Sequence, residues 1–437
     1  MKRSALISSL LVLFAAGKAY ASTEINGLFD GRSAGMGGTG VAYLDSAGAI
    51  PTNPALLDQI GKLTISADVF YIVSQPQSPY RVWHIDQATG NYYETYDTVI
   101  SKPAGAPLPF IGAAFRLNER IAIGAAAYPV IAQGAQAQYR PAPDEYPNSY
   151  AVNQVGMALL EAAVPVSIKI TDKLALGVSW RITYMTQSIN VPIDTFGPPA
   201  GISFNSAAGT AINTELKTTG MNFGGAQVGV LYRPVPSLRL GLTYRSKVVV
   251  SGNGTNTITI AGARMDLEAR NSYTNPHMFR AGLAWSALND RLLLALDFKY
   301  LLYAEAYKEM QTIIVMNSSS GPKETVNNRP LYWKNAYTVQ LGAEYKLSET
   351  FRARAGYILA TSATTADYAL SYMAPPGNSH LVGGGLGIQV LDNLKVDIAA
   401  AYVVLASFVP KATMYNAGIG TYASHGAEFS LSANYHM

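Results

Sequence analysis

Apolar and polar positions alternate along most of this chain. In Leu174-Ala-Leu-Gly-Val-Ser-Trp-Arg-Ile-Thr-Tyr184, the even positions Leu174, Leu176, Val178, Trp180, Ile182 and Tyr184 are apolar. The odd positions Ala175, Gly177, Ser179, Arg181 and Thr183 are small or polar. A period of two predicts a strand with one face in an apolar medium and the other against something polar. The same pattern returns at Leu238–Arg245, Leu292–Tyr300, Tyr337–Leu347, Phe351–Tyr357 and Phe429–Tyr435. Counting every such run predicts about fourteen strands between Leu63 and Met437, an even number as a closed antiparallel bacterial barrel requires.

The links alternate as well. Short ones occur at Asn118-Glu-Arg120, Thr171-Asp-Lys173, Pro234-Val-Pro236, Leu288-Asn-Asp290, Ser348-Glu-Thr350 and Leu391-Asp-Asn393. Long ones are expected near 75–107, 141–153, 191–218, 251–275, 304–334, 363–378 and 410–420. Short periplasmic turns opposite long external loops mark an outer-membrane barrel. A soluble sandwich or propeller also alternates its faces, but does not so regularly place Tyr, Trp and Phe toward the ends of its apolar stripes.

The N-terminus supports export. Lys2 and Arg3, the apolar run Ala5–Ala16 and Ala19-Tyr-Ala21 read as a signal peptide over residues 1–21, with Ser22 as the first mature residue. Its removal takes three of the positive charges behind the formal +4 and no acids, leaving +1. No basic stripe remains for nucleic acid. The absence of cysteine excludes a disulfide framework and a thiolate site. The five histidines have no metal-ligand spacing, and no G-x-S-x-G or paired-carboxylate motif occurs. No enzyme, metal or cofactor is expected.

Between the signal and the first strand lies Arg32-Ser-Ala-Gly-Met-Gly-Gly-Thr-Gly-Val-Ala42, followed by Asn53-Pro-Ala55. A dinucleotide site would need a strand before Gly35 and a helix after Gly40 within a βαβ unit. The chain offers neither. The glycines Gly35, Gly37, Gly38 and Gly40 instead suit tight turns and close backbone packing in a plug over residues 22–61, with the barrel over 62–437. Asp30, Arg32 and Asp45 are candidates to pair with charges of the lumen.

These residues carry a family resemblance. Ser33-Ala-Gly-Met-Gly-Gly-Thr-Gly-Val-Ala42, Asn53-Pro-Ala55, Leu240-Gly-Leu-Thr-Tyr-Arg-Ser-Lys247 and Asn275-Pro-His-Met-Phe-Arg-Ala-Gly-Leu283 occur in order. Leu341-Gly-Ala-Glu-Tyr345, Arg354-Ala-Gly-Tyr357 and the stretch from Gly426 to Tyr435 follow. Over essentially its whole mature length the chain resembles the FadL/TodX family of outer-membrane transporters for hydrophobic compounds. The resemblance implies a fourteen-stranded barrel closed by an N-terminal hatch. It implies capture of an apolar ligand in a lumenal pocket, movement of the hatch and lateral exit through a gap in the third strand. The ligand implied first is a long-chain fatty acid, with an aromatic hydrocarbon as the alternative. Outside the family, a structural or surface-interaction barrel with a shut lumen is the competing reading. The expected setting is the Gram-negative outer membrane, among its lipid and lipopolysaccharide, as a monomer delivered by the barrel assembly machinery. The chain departs from the family's usual aromatic end, closing on Tyr435-His-Met437.

Individual residues admit two readings each. Asn53, Pro54 and Ala55 are a cap and turn, or the hinge that the resemblance implies. Pro129 interrupts the third strand, where a closed barrel has no edge to receive it. It marks either a fraying upper rim or a lateral gate together with Tyr128 and Gly134. Arg181, Arg245, Arg280, Arg352 and Arg354 face the lumen by parity. They offer a fork for a ligand carboxylate, or a network that holds the plug. Tyr92, Tyr93 and Tyr96 in the first loop are candidates for a landing groove. So are Ile193, Phe196, Ile202 and Phe204 in the third, and Met265, Leu267 and Tyr273 in the fourth.

Overall fold

The computed structural model describes residues 29–437, except 145–146, 149, 193–203, 206–209, 212, 261–262, 319–320 and 372–374. The signal peptide therefore lies outside the described residues. Fourteen antiparallel strands close into one barrel. In chain order they are β1 (Leu63–Ile85), β2 (Ala104–Arg116), β3 (Ile121–Tyr139), β4 (Ala151–Thr171), β5 (Leu174–Pro192), β6 (Asn213–Val235) and β7 (Leu238–Arg245). The circle continues with β8 (Met278–Ala287), β9 (Leu292–Leu301), β10 (Ala336–Lys346), β11 (Phe351–Ala360), β12 (Ser379–Leu391), β13 (Leu394–Val409) and β14 (Gly420–His436). Each pairs with its sequence neighbour, and β14 returns to β1 from Thr64↔His436 to Gln77↔Ala423. Closure matters because lipid offers no hydrogen bonds to a free strand edge. No described helix is long and apolar enough to cross a membrane.

The alternation holds in three dimensions. On β5, Leu176, Val178 and Trp180 are exposed outward, while Ala175, Ser179 and Arg181 are buried in the lumen. The short links are tight turns, as expected. Several long links are instead β-hairpins that lengthen the wall. Tyr92–Ile100 pairs with the upper half of β1. Val248–Ile260 pairs with Ala263–Asn275 and with the upper end of β6. Glu309–Ser318 pairs with Gly321–Pro330. Their polar outer positions hid them as strands, because outside the bilayer neither face of a hairpin needs to be apolar.

Residues 29–60 fill the lumen as a folded plug. Helix α1 (Gly31–Gly35), helix α2 (Ala49–Thr52) and a 3₁₀ turn (Pro54–Gln59) are its regular pieces, and nearly every residue is buried. The Gly-rich stretch was expected to make tight turns and close backbone packing. It also makes a short helix, because the Asp30 side chain accepts hydrogen bonds from the backbone N–H groups of Arg32 and Ser33 and caps its start.

Candidate functional site

The plug is held by backbone approaching backbone. After α1 the chain reverses through Gly37 and Gly38, at φ values of 65° and 73° that favour glycine. A Cβ on Gly35 would stand 3.1 Å from Gly385 Cα on β12, and one on Gly356 of β11 would overlap Gly37 N. The wall is cut away likewise at Gly342 on β10, where a Cβ would lie 2.5 Å from Met36 O. The amides of Gly40 and Val41 both donate to Asp297 Oδ2 on β9, at 2.7 and 3.0 Å. The loop that mimics a phosphate cradle thus holds a carboxylate of its own barrel.

Asn53, Pro54 and Ala55 lie fully buried against the opposite wall. The Asn53 side chain accepts from Ala55 N (3.1 Å) and donates to Val41 O (2.8 Å) and to Val230 O on β6 (3.1 Å). Wall glycines make room again: a Cβ on Gly177 or Gly229 would overlap Pro54, Ala55 or Asn53. Ser167 Oγ donates to Ala55 O at 3.2 Å, and Arg233 forms an ion pair with Asp58. This part of the plug is its anchor.

Charges fix the other side. Arg32 forks onto Glu344 of β10 (Nε–Oε2 3.0 Å, Nη2–Oε1 2.7 Å) and reaches Asp45 at 3.1 Å. Glu344 also takes Arg354 Nε at 2.6 Å, and Arg354 Nη1 lies 2.7 Å from Asp397. Asp30 departs from expectation, since it caps α1 and accepts from Ser46 rather than pairing with a cation. Burial first, and the nearby Asp397 carboxylate second, raise its pKa above the usual carboxylate range.

Arg181, Arg245 and Tyr128 converge on one carboxylate that sequence reasoning passed over, Glu161 of β4. Arg181 Nη1 and Arg245 Nη2 each stand 2.6 Å from it, and all three side chains are buried. Tyr128 Oη and Thr183 Oγ1 donate to it as well, at 3.0 and 3.3 Å. Glu161 had a sequence signal: in the otherwise apolar run Ala158–Val166 it is the single charge. Arg280 lies inward on β8 near Asp297, and Arg352 is half-buried near the lower end of β11.

The expected gate residues sit at a real defect of the wall. β2 and β3 pair only from Arg116↔Ala122 up to Ile111↔Ala127. Above that, residues 104–110 of β2 and 128–134 of β3 have no cross-strand pairing with each other, although β2 stays paired to β1 and β3 to β4. Val130 is the extra residue of a bulge between Pro129 and Ile131. From Tyr128 to Ala135, Gly134 included, β3 is buried without alternation. Inside the defect the Tyr128 ring packs on Phe29 of the plug, with centroids 5.0 Å apart, and Phe110 of β2 stands 6.4 Å away. An aromatic cluster lines the unpaired stretch.

The family model described as outer membrane protein transport protein (OMPP1/FadL/TodX) matches residues 6–436. The chain belongs to this family. As a FadL/TodX-type barrel it is an outer-membrane transport protein, of a family whose members carry hydrophobic compounds and are not enzymes. Among solved structures it is similar to a Pseudomonas aeruginosa FadL homologue, with 17% identity, a TM-score of 0.73 and coverage of 96% of this chain and 100% of that one. It is likewise similar to the Pseudomonas putida toluene transporter TodX (17%, TM-score 0.67, 97% and 100%). The Ralstonia pickettii toluene transporter TbuX follows (17%, 0.65, 94% and 99%). Identities this low carry the fold alone. A search of curated sequences gives no significant match.

In this FadL/TodX-type chain the loop candidates divide. Tyr93 is exposed and stacks on His84 with centroids 5.2 Å apart, and Tyr96 bonds to Glu94. Met265 is exposed, whereas Tyr273 is buried against Tyr307. Ile193, Phe196 and Ile202 lie outside the described residues, and so does the side chain of Phe204.

Proposed function

We propose that this protein admits uncharged hydrophobic small molecules through the outer membrane, and that they leave sideways between β2 and β3. The observation that carries this reading is the end of β2–β3 pairing at Ile111↔Ala127, with the plug residue Phe29 seated against the unpaired stretch. A ligand in the lumen finds the way down filled by the plug and the way sideways closed by side chains, with Phe29, Phe110 and Tyr128 among them, and not by a paired ladder. In this reading Asn53, Pro54 and Ala55 are the fixed pivot, and the segment ahead of them shifts. No energy source is needed, since apolar burial at roughly 25 cal/mol per Å² draws the ligand in.

Of the two ligand classes that the resemblance implies, the Glu161 cluster supports the aromatic hydrocarbon over the fatty acid. A carboxylate arriving beside Tyr128 would meet Arg181 and Arg245 already bound to an internal carboxylate. Displacing it would leave Glu161 buried and uncompensated.

Uptake of radiolabelled toluene and oleate by cells with and without the protein tests the reading. Toluene should enter faster with the protein, insensitive to an uncoupler. Acceleration of oleate alone overturns the ligand assignment. Acceleration of neither overturns transport.

A further inference from the structure

The break in the wall is written into both of its edges. Arg116 N donates to Lys62 O, so even-numbered residues of β2 turn their backbone polar groups to β1 and odd-numbered ones toward β3. Leu117 N donates to Ile121 O, so odd-numbered residues of lower β3 turn theirs toward β2. Ile111↔Ala127 is therefore a hydrogen-bonded pair. Two residues farther up each strand, the next such pair would be Pro109 opposite Pro129. Neither has an N–H to give. The following bonding position on β2 is Pro107. Two consecutive β2 positions that should donate into the gap are thus prolines, and each ring also places Cδ where a partner carbonyl would approach.

The same barrel shows what one proline does. Pro165 of β4 faces β3 in the same sense, opposite Gly124. The ladder lapses after Ile123↔Val166 and resumes at Ala126↔Ala163 in unchanged register. A single facing proline costs one bonding pair. Between β2 and β3 the ladder never resumes.

We infer that the lateral exit is held open chiefly by β2, through Pro107 and Pro109, with Pro129 completing the break on β3. Pro107 and Pro109 act as positioning residues: they remove the donors that would zip the wall shut. The seam is then a permanent feature of the fold, and opening and closing fall to the aromatic side chains of Phe29, Phe110 and Tyr128. This inference rests on lateral exit only for its consequence for transport, not for the pairing itself.

Its test compares Pro129→Val with the double variant Pro107→Val/Pro109→Val, by amide hydrogen exchange of the purified, detergent-solubilised full chain. In Pro129→Val the new amide at 129 should exchange fast, because Pro109 still faces it and Pro107 blocks the next bonding position. In the double variant the new amide at 107 should be protected, because Pro129, like Pro165, then costs only its own bonding pair and the ladder can resume above it. A protected amide at 129 in the single variant overturns the inference. So does a fast-exchanging amide at 107 in the double variant. Where valine prevents folding, Pro107→Ala/Pro109→Ala supplies the same two donors without β-branching. Uptake separates the two ideas. A closed seam with lost toluene uptake supports both, whereas a closed seam with full uptake overturns lateral exit and leaves the assignment of the prolines standing.

Discussion

Tyr128 Oη donates to Glu161 Oε2 at 3.0 Å, inside a wall where both side chains are buried. The contact joins the unpaired stretch of β3 to the paired strand β4 and, through Glu161, to Arg181 on β5 and Arg245 on β7. The aromatic ring packs on Phe29 of the plug while the hydroxyl is held by the lumenal charge cluster.

Removing the two halves of this contact should have unequal effects. Tyr128→Phe keeps the ring against Phe29 and loses one hydrogen bond to a charged acceptor, at about 2 kcal/mol. Glu161→Gln leaves two buried guanidinium groups without their counter-ion, at about 3–5 kcal/mol. Urea unfolding in detergent measures both. Equal losses would show that Glu161 is not the centre of the cluster.

Gly356→Ala should displace the plug without opening the barrel. Its Cβ would overlap Gly37 N, while the pairing of Gly356 with Gly342 and Gly383 is backbone only. Overpacking of this kind costs about 1–3 kcal/mol. The expected outcome is a normally assembled, heat-modifiable barrel with raised ionic conductance in planar bilayers. Unchanged conductance would mean that this edge of the plug is not what seals the lumen.

Asn53→Ala removes three hydrogen bonds and takes the side-chain donor from the buried carbonyl of Val41, while Val230 O keeps its place in the β6–β7 ladder. At about 1–3 kcal/mol for each group left unsatisfied, plug docking should weaken measurably. Limited proteolysis between residues 29 and 60 reads this out. Resistance equal to the parent protein would remove Asn53 from the anchor.

Asp30 should make plug docking pH-dependent. Its docked pKa lies above the free value of about 3.9. Its contribution is therefore fully present below that value and is lost as pH rises through the docked pKa. Asp30→Asn keeps a good helix cap and removes the ionisation. The difference in thermal midpoint between parent and variant should favour the variant increasingly as pH rises. A difference that does not change with pH would refute the assignment.

The sequence by itself determined the barrel. Lipid on one face and packed polar side chains on the other impose a period of two, and the chain repeats it from Leu63 to Tyr435. It also marked the plug, since glycines such as Gly35 and Gly37 are needed where two backbones touch, and Pro129, which no closed wall accommodates without a break. Pro107 and Pro109 were equally visible. Their meaning was not, because a proline harms a ladder only if its missing N–H faces a partner, and that direction comes from the register. Glu161 and Asp297 waited on tertiary structure for the same reason. Alternation says that a side chain points inward, but only the closed barrel decides which of the inward residues on other strands, or which amide of the plug, it will meet.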